Sequence, residues 1–146
     1  MKIFFDTSSL FKLYHREAET EELELIFSKV KITNIFLSEI SKIEFSSTIW
    51  KKVRTKEITE FEAQTTLNLF ESDFVKYTFI ATDSIIIEQA RILSSKYGMK
   101  GLRTLDSIQL STSVSLSQQA DIFLTADKLL KSLFAAEGLP TEMPGP

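Results

Sequence analysis

The chain contains no cysteine. That excludes disulfides, thiolate zinc sites and cysteine nucleophiles. It has a single histidine, His15, so a histidine-rich metal site is excluded as well. Glycine and proline are scarce, at 4 and 3 of 146 residues. With no linker, repeat or low-complexity tract, the expectation is one domain over residues 1–142 and a loose tail over 143–146. No apolar run approaches the roughly 20 residues that a membrane-spanning helix needs. The first apolar run ends at Asp6, too early for a signal-peptide core. The expected location is therefore the cytoplasm, with no membrane partner. Basic excess is also missing: 17 Lys plus Arg stand against 20 Asp plus Glu, a formal charge of -3. Any polyanionic partner has to meet a local basic patch.

What is present is apolar residues enough for one core, 43% of the chain, with phenylalanine plentiful at 12 copies. Lys2 to Phe5 reads as a buried strand, and any of Asp6, Thr7 and Ser8 can cap a helix over Ser9 to Tyr14. A second helix is expected over Glu17 to Lys29, with Leu23, Ile26, Phe27 and Val30 on one face. Ile32 to Leu37 reads as the second strand, after which Ser38 is positioned to cap a long helix to about Arg54. Thr59-Glu60-Phe61-Glu62 has the form of a capping box and opens a helix to about Phe74. Tyr77 to Ala81 reads as a third strand, followed by a helix capped by Thr82 or Asp83 and ending near Tyr97-Gly98. Thr104 opens a helix to about Ser117. Asp121 to Leu124 reads as a fourth strand. Thr125 is placed to cap a last helix to Glu137-Gly138, and Leu139 to Glu142 reads as a possible edge strand. Strands alternating with helices imply an α/β fold with a largely parallel sheet.

Four carboxylates stand in short motifs spread along this pattern. Asp6 and Asp127 follow apolar strands, where ligands gather in open α/β sheets. Asp106 falls in the first turn of its helix. Glu44 lies beside the helical row Ile40, Ile43, Ser47 and Trp50, where a carboxylate costs free energy unless paired or metal-bound. Each has an ordinary alternative: Asp6 and Asp127 as helix caps, Asp106 as a first-turn acid favoured by the helix dipole, Glu44 in a buried ion pair or reaching solvent. Together they would repel one another unless a hard cation lay between them. That points to Mg²⁺ or Mn²⁺ and to phosphate chemistry. Thr7, Ser8 and Thr125 offer hydroxyls that can orient these acids. The small polar run Ser107, Ser111, Thr112, Ser113, Ser115 and Ser117 is best read as a helix in close packing. Lys51, Lys52, Arg54 and Lys56 read chiefly as a solvated helix end. Arg103, Lys128 and Lys12 lie nearer the acids in sequence and are the candidates for phosphate contact. Tyr14 and Trp50 can stack bases, although core or interface positions are commoner for such rings.

The segment Ile3-Phe4-Phe5-Asp6-Thr7-Ser8-Ser9-Leu10-Phe11-Lys12-Leu13-Tyr14 resembles the opening of the PIN-domain ribonucleases, and within them the VapC-type toxins of toxin–antitoxin pairs. Ser38-Glu39-Ile40 through Glu44, Leu105-Asp106-Ser107-Ile108-Gln109 and Phe123-Leu124-Thr125-Ala126-Asp127-Lys128 are similar to that family's later acidic motifs, in the same order. The family's third motif more often has alanine-rich, histidine-containing text where Ser107, Gln109, Ser111 and Ser113 stand. The resemblance implies a three-layer α/β/α sandwich with a mostly parallel sheet of four to five strands. It implies hydrolysis of single-stranded or loop RNA, of the tRNA or rRNA class, with one or two Mg²⁺ or Mn²⁺ ions. Asp6, Asp106 and Asp127 would be direct ligands, with Glu44 binding directly or through water. It further implies a homodimer and an antitoxin that covers the acidic groove. Two other readings stand beside it: an inactive PIN-like interaction module, and a nuclease acting on another nucleic acid. A phosphatase of the haloacid-dehalogenase type also opens with a strand and an Asp, but needs a second acid two residues on, where Ser8 stands.

Overall fold

The computed structural model describes residues 1–15, 24, 25, 28 and 30–142. The expected helix over Glu17 to Lys29 falls almost wholly outside them, as do the tail and the apolar positions Leu23, Ile26 and Phe27. Four strands form one parallel sheet in the order β3-β2-β1-β4. They are β1 (Lys2–Phe5), β2 (Asn34–Ser38), β3 (Thr78–Ile80) and β4 (Ile122–Leu124). Phe5 pairs with Leu37 on one side and Leu124 on the other, so β1 is central and its end is enclosed by both neighbours. Six helices are complete among the described residues: α1 (Thr7–Phe11), α2 (Ser41–Arg54), α3 (Glu60–Ser72), α4 (Ser84–Lys96), α5 (Thr104–Ser115) and α6 (Lys128–Ala136).

Side-chain alternation along the strands creates the layers. Ile3 and Phe5 of β1 join Leu37, Ile122 and Leu124 in a core with Leu10 and Phe11 of α1, Phe45 and Ile49 of α2, and Phe70 of α3. Phe4 faces the opposite way, with Phe36 and Phe123, onto Leu93 of α4, Leu110 of α5 and Leu133 and Phe134 of α6. Both faces of a parallel sheet are thereby covered, as its apolar strands require. The fold is the expected α/β/α sandwich, with every strand parallel.

The phenylalanines are concentrated in the first of these cores. Phe45 and Phe70 stack with centroids 4.2 Å apart, and Tyr14 meets both edge-on at 5.3 and 5.5 Å. The Tyr14 hydroxyl donates to Asp73 Oδ2 at 2.8 Å and meets the Tyr77 hydroxyl. Tyr14 is thus committed to packing rather than to base stacking. His15 follows α1, with its ring 5.4 Å from that of Phe11. On the other face, the small polar residues of α5 permit close contact with α4, and Ser111 Oγ donates to Ile86 O at 2.7 Å.

Several boundaries differ from the sequence reading. Ser38 belongs to β2, and α2 starts after Ile40 with no side-chain cap. The buried face of α2 is Ser41, Phe45 and Ile49, whereas Ile43 is 73% exposed. The apolar row read from the sequence is turned outward at Ile43, while Lys42 beside it lies over the Phe79 ring of β3. Asp127, not Thr125, caps α6, since its Oδ1 accepts from Leu130 N at 2.7 Å. Residues 139–142 form no strand, although Pro140 O accepts from Phe123 N at 2.9 Å. Gly98 is not the left-handed stop after α4; that conformation belongs to Gly101, at φ 86°. The Thr59 capping box is present as expected, with Glu62 reciprocating.

The aromatic core should dominate stability. Phe45→Ala is expected to lower the unfolding free energy in urea by about 3–5 kcal/mol, against about 1 kcal/mol for the exposed cap change Thr59→Ala. Comparable losses from both would show the ring cluster to be loosely packed.

Candidate active site

The chain passes from β1 through β2 and β3 on one side and then returns to place β4 on the other. The carboxyl ends of β1 and β4 are therefore a switch point, where open α/β sheets form their ligand crevice. A cleft of about 300 Å³ opens there, and its walls include Asp6, Ser8, Glu44, Asp106, Gln109 and Asp127. The structure brings all four expected carboxylates to this one cleft.

Asp6 is the most constrained of them. Its backbone continues the sheet, with its N–H bonded to Leu124 O at 3.1 Å. Its Oδ1 caps α1 by accepting from Ser9 N at 2.9 Å. Ser8 Oγ donates to the same carboxylate at 2.8 Å, and Thr125 Oγ1 donates to Oδ2 at 2.6 Å. Ser8 Oγ in turn accepts from Ala126 N at 3.0 Å, and Thr125 Oγ1 from Asp127 N at 3.0 Å. The two loops that follow β1 and β4 are thereby joined through side chains. Asp6 and Asp127 act as helix caps and also border the cleft.

Glu44 comes from the first turns of α2 and Asp106 from the first turn of α5. Glu44 Oε1 accepts from Thr7 Oγ1 and from Gln109 Nε2, both at 2.8 Å. Burial raises the pKa of Asp6 to about 6, with the charge of Glu44 adding to it against the opposing hydrogen bonds. Burial also raises Glu44, and Asp106 adds repulsion. Asp106 is raised by burial and by Asp127, while Arg103 lowers it. Burial is the main cause for Asp6, Glu44 and Asp106, and a neighbouring carboxylate adds to each.

Among the described residues, none of the four forms a salt bridge. The donor set is carboxylate and hydroxyl oxygen throughout, which suits a hard divalent cation in kind. In spacing, no three acids among the described residues close on one point to hold an ion by themselves. Waters and substrate oxygens would have to complete the ligand set, the usual condition for Mg²⁺.

The expected phosphate contacts are placed differently from one another. Arg103 is exposed beside the start of α5, and Lys128 is exposed at the start of α6; neither lines the cleft. Lys12 is buried, 7% exposed, at the end of α1. The cation in the cleft wall is Lys52, with its Nζ 5.3 Å from the centroid of the Phe11 ring and 3.6 Å from Glu57 Oε2. Sequence reasoning assigned it to a solvated helix end. The usable signal was the helical row Glu44, Thr48, Lys52 at four-residue steps, all three of which face the cleft. Gln109 was the other residue missed.

Comparison with known proteins identifies the family and the fold. The PIN domain family profile matches residues 3–133. The chain belongs to the PIN domain family. No curated protein matches it by sequence. Among solved structures, the fold is similar to that of Mycobacterium tuberculosis VapC20, described as a sarcin-ricin loop cleaving toxin, at 15% identity and TM-score 0.71, over 97% of this chain and 99% of that one. It is also similar to VapBC2 from Rickettsia felis, solved with a promoter DNA fragment, at 18% identity and TM-score 0.63, over 97% and 98% of the two chains. FitAcB from Neisseria gonorrhoeae aligns at 14% identity and TM-score 0.66 over 95% of each chain.

The raised Asp6 pKa has a definite sign. Between its ordinary value of 3.8 and about 6, the folded ion-free protein binds a proton that the unfolded chain lacks. That contribution to stability is complete at low pH and is lost as pH rises through 6, where keeping the charge buried costs about 3 kcal/mol. Asp6→Asn, which retains a capping side chain, is expected to melt above the ion-free native protein near pH 8, with the gap closing toward pH 4. A gap independent of pH would show that Asp6 titrates normally.

Proposed function

We propose that this PIN domain is a metal-dependent endoribonuclease that hydrolyses phosphodiester bonds in single-stranded or loop RNA. The observation that supports this most is the meeting of four carboxylates, unpaired by any described cation, in one cleft at the β1/β4 switch point. Like charges held together in partial burial store a repulsion that a divalent ion relieves. A bound Mg²⁺ or Mn²⁺ supplies a lowered water pKa and a counter-charge for the scissile phosphate.

The chain's own groups have distinct tasks in this reading. Asp6, Asp106 and Asp127 would offer direct oxygen ligands to one or two ions, with waters filling what the acids do not reach, and Glu44 would bind directly or through water. Ser8 and Thr125 keep the Asp6 carboxylate turned and hydrogen-bonded. Lys52 supplies positive charge on the wall of an otherwise acidic cleft, where a phosphate of the RNA backbone would be drawn. Arg103 and Lys128, exposed outside the cleft, meet the strand on either side. Water attack suits the site better than a histidine-driven 2′-OH mechanism, because the single histidine, His15, does not line the cleft.

A toxin role follows from the neighbours rather than from the cleft. The similar folds include VapBC-1 from nontypeable Haemophilus influenzae and a toxin–antitoxin complex from Klebsiella pneumoniae. By analogy the chain is proposed to act in the cytoplasm as a homodimer restrained by a cognate antitoxin. An arginine of that partner reaching the four acids would neutralise them with charge-assisted hydrogen bonds.

The test is cleavage of a panel of tRNAs, rRNA fragments and single-stranded DNA with Mn²⁺ or Mg²⁺. Defined cuts in RNA are expected from the native chain. EDTA should abolish them, and Asp6→Asn and Asp106→Asn should each lose at least about 100-fold, the upper end of what losing an outer partner costs. Cutting confined to DNA would assign the nuclease to another substrate. No cutting and no ion-dependent rise in melting temperature would leave an interaction module. Lys52→Met is expected to raise KM about tenfold with kcat retained, the low end for a lost charged hydrogen bond.

A further inference from the structure

Gln109 lies on α5 one turn beyond Asp106 and is 1% exposed. Its Nε2 is 2.8 Å from Glu44 Oε1, 3.1 Å from Thr7 Oγ1 and 3.1 Å from Ser41 Oγ. Thr7 Oγ1 lies 2.9 Å from Ser41 Oγ and donates to Glu44 Oε1 at 2.8 Å. Proton counting fixes the direction of these bonds. A carboxylate only accepts and an amide nitrogen only donates. Thr7 spends its one proton on Glu44, so the proton between the two hydroxyls belongs to Ser41. The two protons of Gln109 serve Glu44 and the hydroxyl pair. Residues of α1, α2 and α5 thus act on a single oxygen of Glu44. Its other oxygen, Oε2, accepts no hydrogen bond from the described residues and is not a buried orphan among them.

The opposite end of the same amide supports this reading. Gln109 Oε1 is buried with no hydrogen-bond partner among the described residues. An unsatisfied buried carbonyl is unfavourable by about 1–3 kcal/mol. Turning the amide over would set that carbonyl against Glu44 Oε1, acceptor to acceptor, and would remove a donor from the hydroxyl pair. The orphaned carbonyl is therefore the consequence of holding the nitrogen on Glu44.

We propose that Gln109 is a positioning residue that pins Glu44 Oε1, so that Glu44 offers Oε2 alone to a divalent ion in the cleft. The proposal rests on the ion-binding reading of the four acids. It also gives a function to one of the four positions at which this chain departs from the text expected of its third acidic motif. A donor of another shape at position 109 would serve the same purpose; an apolar side chain would leave Glu44 free to turn.

The test is Mn²⁺ binding by calorimetry to the ion-free protein without RNA, which separates ion affinity from turnover. Gln109→Met keeps length and apolar bulk but removes the donors. It is expected to weaken Mn²⁺ binding about 10–100-fold, the range for loss of a group that orients a ligand. Gln109→His, which restores a ring N–H, is expected to recover most of that loss. Glu44→Gln is the reference for loss of the ligand itself. If Gln109→Met does not fold, as judged by thermal melting, Gln109→Asn replaces it: its donors are kept but withdrawn by one methylene, and the same weakening is expected. Native affinity in the folded Met or Asn variant, with Glu44→Gln weakened, overturns the role of Gln109 and leaves the ion site standing. No Mn²⁺ uptake by the native protein overturns both.

Discussion

The structure turns on one constraint: the Asp6 carboxylate is held, almost fully buried, at the end of the central strand. Its position is not adjustable, because its backbone continues the sheet and its side chain caps α1. Hydroxyls from Ser8 and Thr125 satisfy it without neutralising it. Every other acid of the cleft is placed relative to that fixed charge. β4 brings Asp127 and its loop against Ser8, and α2 and α5 bring Glu44 and Asp106 to the remaining sides. The aromatic core on one face of the sheet and the α4–α5 packing on the other set the angles at which those helices arrive.

That arrangement explains why buried polar residues are so numerous near one edge of a largely apolar protein. Asp6, Thr7, Ser9, Ser38, Ser41, Ser107 and Gln109 are all buried. Most of them belong to hydrogen-bonded groups that lead to a carboxylate or close a helix end. A connected polar network of this kind is favourable only when its members are satisfied. Here the exception, the carbonyl of Gln109, sits directly behind an acid of the site. Strain of this sort at a cleft is consistent with selection for ligand placement rather than for stability alone.

The strands and the four acids could be read from the sequence because each is a local signal: short apolar runs ended by a carboxylate, or an acid at a helix start. The Thr59 capping box was readable for the same reason, since both of its partners lie within one turn. The errors have a different origin. Asp127 and Thr125 are both capable caps, and the choice between them depends on Ser8 and Asp6, more than a hundred residues away in the chain. The buried row of α2 is Ser41, Phe45 and Ile49 rather than the expected one because Ile43 is left exposed and Ser41 is buried by a network that includes Gln109. Lys52 was read as solvated because its place over Phe11 depends on how α1 meets α2. Local chemistry identified the ingredients, and tertiary contacts decided which of them share a cleft.

The position of β4 has a consequence for how the protein is made. It is the edge strand beside β1, and it is the last of the four described strands in chain order. Thr125 and Asp127 follow it immediately. During synthesis β1, β2 and β3 can associate while the partners of Ser8 and of Asp6 Oδ2 are still within the ribosome or its exit path. The growing chain therefore carries Asp6 early but has no assembled cleft until β4 and the loop after it have emerged and docked. For a protein proposed to cut RNA, the fixed acid of β1 is thus made well before the cleft it serves can exist.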